Sequence, residues 1–299
     1  MKRGETIRKR IRGWAGLLYV LPALSILGLF QLAPVVYAAW LSLTDSNLIR
    51  PVTNFVGLEQ YRRMISDPSF HIALKNTVVY TVGVVFFSAL FGLMLAVLLN
   101  RKFRGVGLYR TLLFLPVVTA TSTAAVVWRW MYAPNPNGLL NRIVALFGME
   151  SQRWLLDPDL ALPSVMAMSI WQSTGYSMII FLAGLQNISS TVMEAAKVDG
   201  ANWWQRLRYI TLPLLSPTIF FVLVISVIHS FQAVSQVLVL TGGGPLRRTL
   251  VLVYYLYQQA FESFNMAYGA AIAMTLFVIL AACTWIQWKV AEKRVHYGE

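Results

Sequence analysis

Residues 191–213 read TVMEAAKVDGANWWQRLRYITLP and form a polar segment between two long apolar runs. The segment carries helix signals where a short turn would be enough to join two membrane helices. Thr191 and Glu194 have the spacing of a capping box, so we predict a short helix that begins at Thr191. Gly200 can adopt the left-handed conformation that ends such a helix. Asn202 can then cap a second short helix that runs through Arg208.

Two interpretations of this helical loop remain open on physical grounds. In the first, Trp203 and Trp204 hold an elbow in the aromatic belt at the membrane surface. In the second, the small residues Ala195 and Ala196 beside Glu194 let another protein surface approach closely. The loop is then a docking site for a partner.

The composition of the chain is that of an integral membrane protein. Of 299 residues, 57% are hydrophobic and 12% are charged, whereas soluble domains carry about 25% charged residues. Six apolar segments are long enough to cross a hydrocarbon core roughly 30 Å thick. We therefore predict an all-α membrane protein with six transmembrane helices, at residues 14–43, 76–99, 108–132, 160–185, 214–240 and 268–288.

The basic residues set the orientation of these spans. Most of the 25 Lys and Arg residues fall in short segments that share one side of the membrane when the N-terminus is inside. The positive-inside rule then makes segments 1–13, 187–213 and 291–299 cytoplasmic and places loop 44–75 outside, with residues 76–290 as a core of five spans. Orientation also explains the net charge of +13 better than nucleic-acid binding does.

Several function classes are disfavoured by what the chain lacks. None of the 12 acidic residues lies in the middle of a predicted span, which argues against an ion-driven transporter. The three histidines are too scattered for a metal site, and no catalytic set of residues is evident. No lysine follows a glycine, so the chain has no P-loop. If transport is driven by ATP, a partner ATPase must bind the ATP and Mg²⁺.

Residues 194–215, EAAKVDGANWWQRLRYITLPLL, resemble the EAA motif of the inner-membrane permease subunits of binding-protein-dependent ABC importers. The resemblance implies the transmembrane-domain fold of a type I importer. It also implies that the loop forms coupling helices, which sit in a cleft of the ATPase subunit. The positions that match the motif are Glu194, Ala195, Ala196, Asp199, Gly200, Leu212 and Pro213.

Two further segments, LTGGGP at 240–245 and PNPNGLLN at 134–141, are similar to the first of the two permeases of carbohydrate importers. That class includes the maltose and glycerol-3-phosphate systems. The resemblance implies a location in the plasma membrane of a bacterium or archaeon, in contact with lipid. The implied partners are a second homologous permease, two ATP-binding cassette subunits and an extracytoplasmic solute-binding protein.

The fifth predicted span is polar enough to line a cavity for a sugar, an oligosaccharide or a polyol-type solute. Its candidates are Ser226, His229, Ser230, Gln232 and Gln236. The resemblance adds candidates from the third and fourth spans, namely Thr121, Gln172, Thr174, Tyr176 and Ser177. Hydrogen bonding between helices is the alternative role for such side chains.

Two other functions remain as alternatives. In a stand-alone channel or secondary transporter, the LTGGGP segment would be a pore loop. In a scaffold without transport activity, the helical loop would only dock a cytosolic protein.

Overall fold

The computed structural model describes residues 19–49, 53–101 and 103–292. The predicted segment 1–13, the start of the span predicted from Trp14 and the tail from residue 293 lie outside the described residues. The chain divides into two compact units. The first contains the described residues up to Ile65 and Leu256–Thr275, and the second contains Ser66–Tyr255 and the described residues from Leu276 onward.

The described residues are helical apart from loops and one isolated antiparallel bridge between Thr44 and Phe55. In chain order the helices are α1 (Tyr19–Leu41), α2 (Glu59–Ile65), α3 (Pro68–Leu99), α4 (Val106–Val118), α5 (Thr121–Met131), α6 (Leu139–Ala145), α7 (Ala161–Gln186), α8 (Ser190–Val198), α9 (Trp203–Leu214), α10 (Ser216–Phe231), α11 (Ser235–Leu240), α12 (Leu252–Tyr257) and α13 (Met266–Glu292).

Polar contacts order the loop of the first unit that lies between α1 and α2. The amide of Gln60 donates to the carbonyl of Thr44 at 3.0 Å, and the hydroxyl groups of Ser42 and Tyr61 are 2.8 Å apart. The guanidinium of Arg63 lies 4.5 Å from the centre of the Tyr268 ring, a cation–π contact. These contacts hold the short helix α2 in place within its unit.

Helix α3 begins well before residue 76, where the sequence predicts its span to start. The side chain of Asp67 accepts a hydrogen bond from the backbone N–H of Ser69 at 2.8 Å. Pro68 occupies the first turn, where its missing N–H costs nothing. An N-cap and a proline thus extend the helix beyond its apolar run.

Glycines bring α7 into close contact with its neighbours in the second unit. A Cβ added to Gly92 of α3 would lie 2.6 Å from the Cβ of Ser177, and one added to Gly175 would lie 2.4 Å from the carbonyl oxygen of Leu113 in α4. Small residues let membrane helices pack backbone to backbone. Beside these contacts, Met178 and Phe181 are buried in a hydrophobic cluster.

The third predicted span, residues 108–132, is not one continuous helix. Helices α4 and α5 meet at an angle of 99°, and Thr119 and Ala120 between them both have an extended ψ of 130°. Pro116 lies inside the last turns of α4, where a proline removes a hydrogen bond and crowds the preceding turn. The chain therefore breaks after α4 and does not continue into α5 as one helix.

The fifth predicted span, residues 214–240, is also divided. Helices α9 and α10 are bent by 65°, and the chain leaves the helix again between α10 and α11. Pro217 lies in the first turn of α10, whereas Pro213 lies directly before Leu214, the last residue of α9. The described residues contain four helices long and apolar enough to cross a membrane, or six spans if each bent pair counts as one.

The loop around LTGGGP is held against α3 by side chains of that helix. The Asn76 amide donates to the carbonyls of Arg247 at 2.9 Å and Leu250 at 3.0 Å. The Thr77 hydroxyl accepts from the backbone N–H of Leu252 at 2.8 Å. Within the loop, the hydroxyl groups of Thr241 and Thr249 are 2.7 Å apart. The loop is thereby ordered from both of its ends.

The PNPNGLLN segment is organised by one fully buried side chain, that of Asn141. Its Nδ2 donates to the carbonyls of Ala133, Asn135 and Gln152 at 3.2, 3.1 and 3.1 Å. Its Oδ1 accepts from the backbone N–H of Gln152 and from Nε1 of Trp154, both at 2.9 Å. A single asparagine therefore stands in for a turn's worth of backbone hydrogen bonds.

Candidate functional site

The first short helix of the polar loop at residues 187–213 starts earlier than predicted. Helix α8 begins at Ser190, and Ser189 occupies the N-cap position without a side-chain capping bond. The predicted capping box at Thr191 is therefore wrong. Thr191 is already inside the first turn, so its hydroxyl is displaced from the position that could cap the free N–H groups.

The end of α8 at Gly200 agrees with the prediction. Gly200 has φ +79°, the left-handed conformation. The N–H of Ala201 donates to the carbonyl of Ala196 at 2.9 Å, and the N–H of Gly200 donates to the carbonyl of Lys197 at 3.1 Å. These two bonds are the pair that defines a Schellman motif. They determine the direction in which the chain leaves α8.

The second short helix is capped by Asn202, as predicted. The Asn202 side chain accepts from the N–H of Gln205 at 2.9 Å, and the Gln205 side chain accepts from the N–H of Asn202 at 2.7 Å. This reciprocal pair is a capping box. The helix continues past Arg208 to Leu214 through a π-helical turn at Leu207–Thr211. The wider turn lies directly before Pro213, which has no N–H to continue the α-helical pattern.

The loop therefore presents two short helices whose junction is fixed by backbone hydrogen bonds. Glu194, Ala195 and Asp199 are exposed on it, and Ala196 is buried. Val198 is 88% exposed. Leu212 and Pro213 are half-buried where the chain leaves the loop. An acid, small residues and an exposed valine thus share one outer surface.

The second unit contains a cavity of about 530 Å³ with wall residues from α3, α4, α5, α7, α10 and α11. Eight of the ten side chains predicted to line a substrate pathway lie on its wall. They are Thr121, Gln172, Tyr176, Ser226, His229, Ser230, Gln232 and Gln236. Ser226, His229 and Ser230 lie on α10, and the helix breaks before Gln236, which lies on α11. The break still leaves all four on the same cavity.

Two of the predicted side chains do not reach this cavity. The Thr174 hydroxyl donates a hydrogen bond to the carbonyl of Ile170, within the same helix, at 2.6 Å. Ser177 is fully buried, and its Cβ lies where a side chain on Gly92 would be. Both residues lie one or two positions along α7 from residues of its cavity face. The rotation around the helix axis places them on its packing face instead.

Four polar side chains on the cavity wall were missed by the sequence reasoning. They are Tyr80, Ser88, Ser169 and Ser173. On α3, Tyr80 and Ser88 are two turns apart around Val84, and on α7, Ser169, Ser173 and Tyr176 follow the spacing i, i+4, i+7. That spacing places residues on one face of a helix, so a search for polar stripes in the second and fourth spans could have found them.

Hydrogen bonds tie the cavity wall to the helix break. Nε2 of Gln172 donates to the carbonyl of Thr119 at 2.9 Å and lies 3.4 Å from the carbonyl of Pro116. Gln172 thus supplies a side-chain donor to the Thr119 carbonyl at the break between α4 and α5. On another part of the wall, Nε2 of Gln236 donates to the hydroxyl of Tyr80 at 2.7 Å.

The chemistry of the wall is polar and uncharged. Among the described residues that line the cavity there is no Lys, Arg, Asp or Glu, and the polar groups are hydroxyls, amides and one imidazole. In the described part of the chain no group of three metal-ligating side chains comes together. Such a wall can exchange hydrogen bonds with a neutral polar molecule.

Membrane-spanning helices around a polar cavity, together with an ordered helical loop, define a membrane-embedded transport protein. The family model for inner membrane components of binding-protein-dependent transport systems matches residues 88–294. The chain belongs to this family.

Relatives and a solved structure agree with this assignment. The chain is 36% identical to the sn-glycerol-3-phosphate transport system permease UgpA of Agrobacterium fabrum over 284 residues, which cover 94% of this chain and 96% of the relative. It is 33% identical to the lactose transport system permease LacF of Rhizobium radiobacter over 290 residues, 95% of each chain. Its fold matches a chain of a bacterial alginate ABC transporter with a TM-score of 0.84 at 21% identity, covering 97% of this chain and 99% of the other. The predicted all-α fold of a type I importer permease is confirmed.

Proposed function

We propose that this chain is one of the two permease subunits of an ATP-driven importer for a sugar, oligosaccharide or polyol-type solute. The observation that carries the proposal is the cavity of about 530 Å³ with its hydroxyl and amide wall. Ligand sites place a few polar groups on a largely apolar scaffold. Groups that both donate and accept hydrogen bonds suit the hydroxyls of a carbohydrate.

The cargo class also has support from the relatives. Their names specify glycerol 3-phosphate and lactose, and the structure with the same fold belongs to an importer of the polysaccharide alginate. A polyol, a disaccharide and an oligosaccharide have several hydroxyl groups in common. The proposed solute for this chain is therefore a hydroxyl-rich one.

The proposed assembly contains a second homologous permease, two ATP-binding cassette subunits and an extracytoplasmic solute-binding protein. ATP and Mg²⁺ bind to the ATPase subunits, whose closure moves the loop of residues 191–208. Rigid helices carry this movement to the cavity, which then opens to the other side of the membrane. Both termini and the loop face the cytoplasm of a bacterial or archaeal cell, and lipid surrounds the apolar helices.

The substitution Glu194→Lys tests the role of the loop in coupling. Glu194 is exposed, so the variant is expected to insert normally while the reversed charge prevents docking of the ATPase. The measurement is copurification of the ATPase subunits and ATP hydrolysis by the importer in proteoliposomes. Glu150→Lys, which reverses the charge of another exposed residue, is the matched control. Full transport with normal ATPase copurification by Glu194→Lys would contradict the coupling role.

A second experiment tests the solute class. The importer is reconstituted with its binding protein, and ATP hydrolysis is measured with lactose, sn-glycerol 3-phosphate, alginate oligosaccharide, histidine and methionine as probes. At least one of the hydroxyl-rich probes is expected to stimulate hydrolysis. Stimulation by the amino acids alone would refute the solute class, and uptake driven by an ion gradient without ATP would favour a secondary transporter.

A further inference from the structure

Three polar side chains from three helices form a chain of hydrogen bonds beside the cavity. Nε2 of Gln236, on α11, lies 2.7 Å from the hydroxyl oxygen of Tyr80, on α3. The Tyr80 hydroxyl lies 2.8 Å from Oγ of Ser169, on α7. Tyr80 is 1% exposed and Ser169 is 5% exposed. Buried hydroxyl groups of this kind have to find their hydrogen-bond partners inside the protein.

The number of protons on the three polar groups determines which group donates in each hydrogen bond of this series. The Ser169 hydroxyl donates its one proton to the carbonyl of Val165 at 3.0 Å, so its oxygen accepts from Tyr80. Tyr80 has then used its own proton, and its oxygen accepts from Gln236. Only the NH₂ group of an amide can donate. The amide of Gln236 therefore turns its nitrogen to Tyr80.

The direction determines which groups of Gln236 remain for the cavity. Its carbonyl oxygen and its second N–H are left, one acceptor and one donor, and the side chain lines the cavity. With the amide reversed, the carbonyl oxygen would face Tyr80 and the two N–H groups would face the cavity. A hydroxyl group both donates and accepts, so the observed orientation suits neighbouring hydroxyls of a solute better than the reversed one.

We propose that Tyr80 is a positioning residue that turns the carbonyl oxygen of Gln236 to the cavity, where this oxygen accepts a hydrogen bond from a hydroxyl group of the solute. The proposal rests on the proposed function, because it assumes that a hydroxyl-rich solute enters this cavity. Tyr80 does not touch the solute in this role. It acts through Gln236. Ser169 determines the direction of the hydrogen bonds because its oxygen accepts the hydrogen bond that the Tyr80 hydroxyl donates.

The direction of the chain can be tested without any solute. The full-length chain is purified in detergent at pH 8, where a half-exposed carboxylate is ionised, and melting is followed by tryptophan fluorescence. Gln236→Glu places an acceptor against a phenolic oxygen that has no free proton, which is expected to lower the melting midpoint by about 4–10 °C. Ser169→Ala frees the phenolic proton. The double variant is therefore expected to melt higher than Gln236→Glu alone.

The matched control is Ser173→Ala, because Ser173 lines the same cavity on the same helix but is not part of the chain. Combined with Gln236→Glu, it should bring no recovery. If Gln236→Glu melts like the original protein, or if Ser169→Ala and Ser173→Ala have the same effect on it, Tyr80 donates to Gln236 and the proposal is overturned.

A transport measurement tests the positioning role. Tyr80→Phe keeps the ring and removes the hydroxyl, so the Gln236 amide loses its fixed orientation. In the reconstituted importer, the lactose concentration that half-saturates ATP hydrolysis is expected to rise about 5–30-fold, while the maximal rate stays the same. An unchanged half-saturating concentration would overturn the role. If lactose does not stimulate the original importer, lactose fails as the cargo, and the melting experiment still decides the direction of the chain.

Discussion

Replacing Gly200 by alanine is the sharpest test of the helical loop. Gly200 has φ +79°, and a Cβ built there would meet no atom within 4 Å. The cost of the substitution is thus confined to the backbone. For a residue with a Cβ, the left-handed conformation costs about 1–2 kcal/mol. That penalty lowers the population of the observed loop about 5–30-fold relative to loops with other geometries.

The expected consequence is weaker coupling at unchanged membrane insertion. Loops that lose the two hydrogen bonds around Gly200 no longer hold α8 and α9 in the observed relation. The assay is ATP hydrolysis stimulated by the binding protein, with copurification of the ATPase as a second readout. Gly200→Asn should retain more activity than Gly200→Ala, because asparagine tolerates the left-handed region. Gly200→Val should retain least, because its β-branched side chain is the most restricted.

Two control glycines separate a loop effect from a general loss of stability. Gly148 has φ +74° and an equally open Cβ position, so Gly148→Ala has the same backbone cost in a different loop. Gly107 has open space and no positive φ, so Gly107→Ala has no such cost. Coupling by Gly200→Ala equal to that of the original protein would refute the reasoning, as would an equal loss in Gly148→Ala.

Three further substitutions have defined outcomes. Gly92→Ala is expected to lower the free energy of unfolding by about 1–3 kcal/mol through overpacking, although alanine favours helices. Gly107→Ala should be neutral or stabilising. The two melting midpoints are compared, and equal effects would argue against the close contact at Gly92. Asn141→Ala removes the five hydrogen bonds of the buried Asn141 side chain and should cost about 3–5 kcal/mol of stability. The loss would be seen as a lower yield and a lower melting midpoint. Asn137→Ala, at an exposed position, should change little. Gln172→Leu should cost about 1–2 kcal/mol of stability because the Thr119 carbonyl loses its donor. Gln172→Glu cannot donate when ionised, so it should have the same melting midpoint as Gln172→Leu. A Gln172→Glu variant as stable as the original protein would argue against this hydrogen bond.

Local signals in the sequence predicted the parts of the site that depend on neighbouring residues. The left-handed Gly200 and the Asn202 cap are properties of residues within one turn of each other, and both predictions are confirmed. Thr191 failed as a cap although its spacing was right, since Ser189 and Ser190 upstream compete for the same helix start. A capping motif names residues that can end a helix, but it does not choose among adjacent candidates.

The cavity was predictable only in part. The polar residues of the fifth span and Gln172 pointed to it, because polar side chains are costly in a membrane unless they meet a partner or a cavity. Tyr80 and Ser169 were missed because the sequence does not show which polar residues of α3 and α7 share the face that meets the cavity. Thr174 and Ser177 were assigned to the cavity but lie elsewhere, since the rotation of α7 is set by the close approach of Gly92 and Gly175 to its neighbours.

By itself, the sequence determined the membrane class, the number of apolar segments and the helical loop with its Gly200 junction. These properties follow from hydropathy and from backbone preferences that act over a few residues. Only the tertiary structure decided that the third and fifth spans are broken and that Gln172 donates a hydrogen bond to a carbonyl at one break. It also decided that Tyr80 is hydrogen-bonded to both Ser169 and Gln236. Those features depend on contacts between helices far apart in the chain, where the packing of one helix sets which face of the next can reach it.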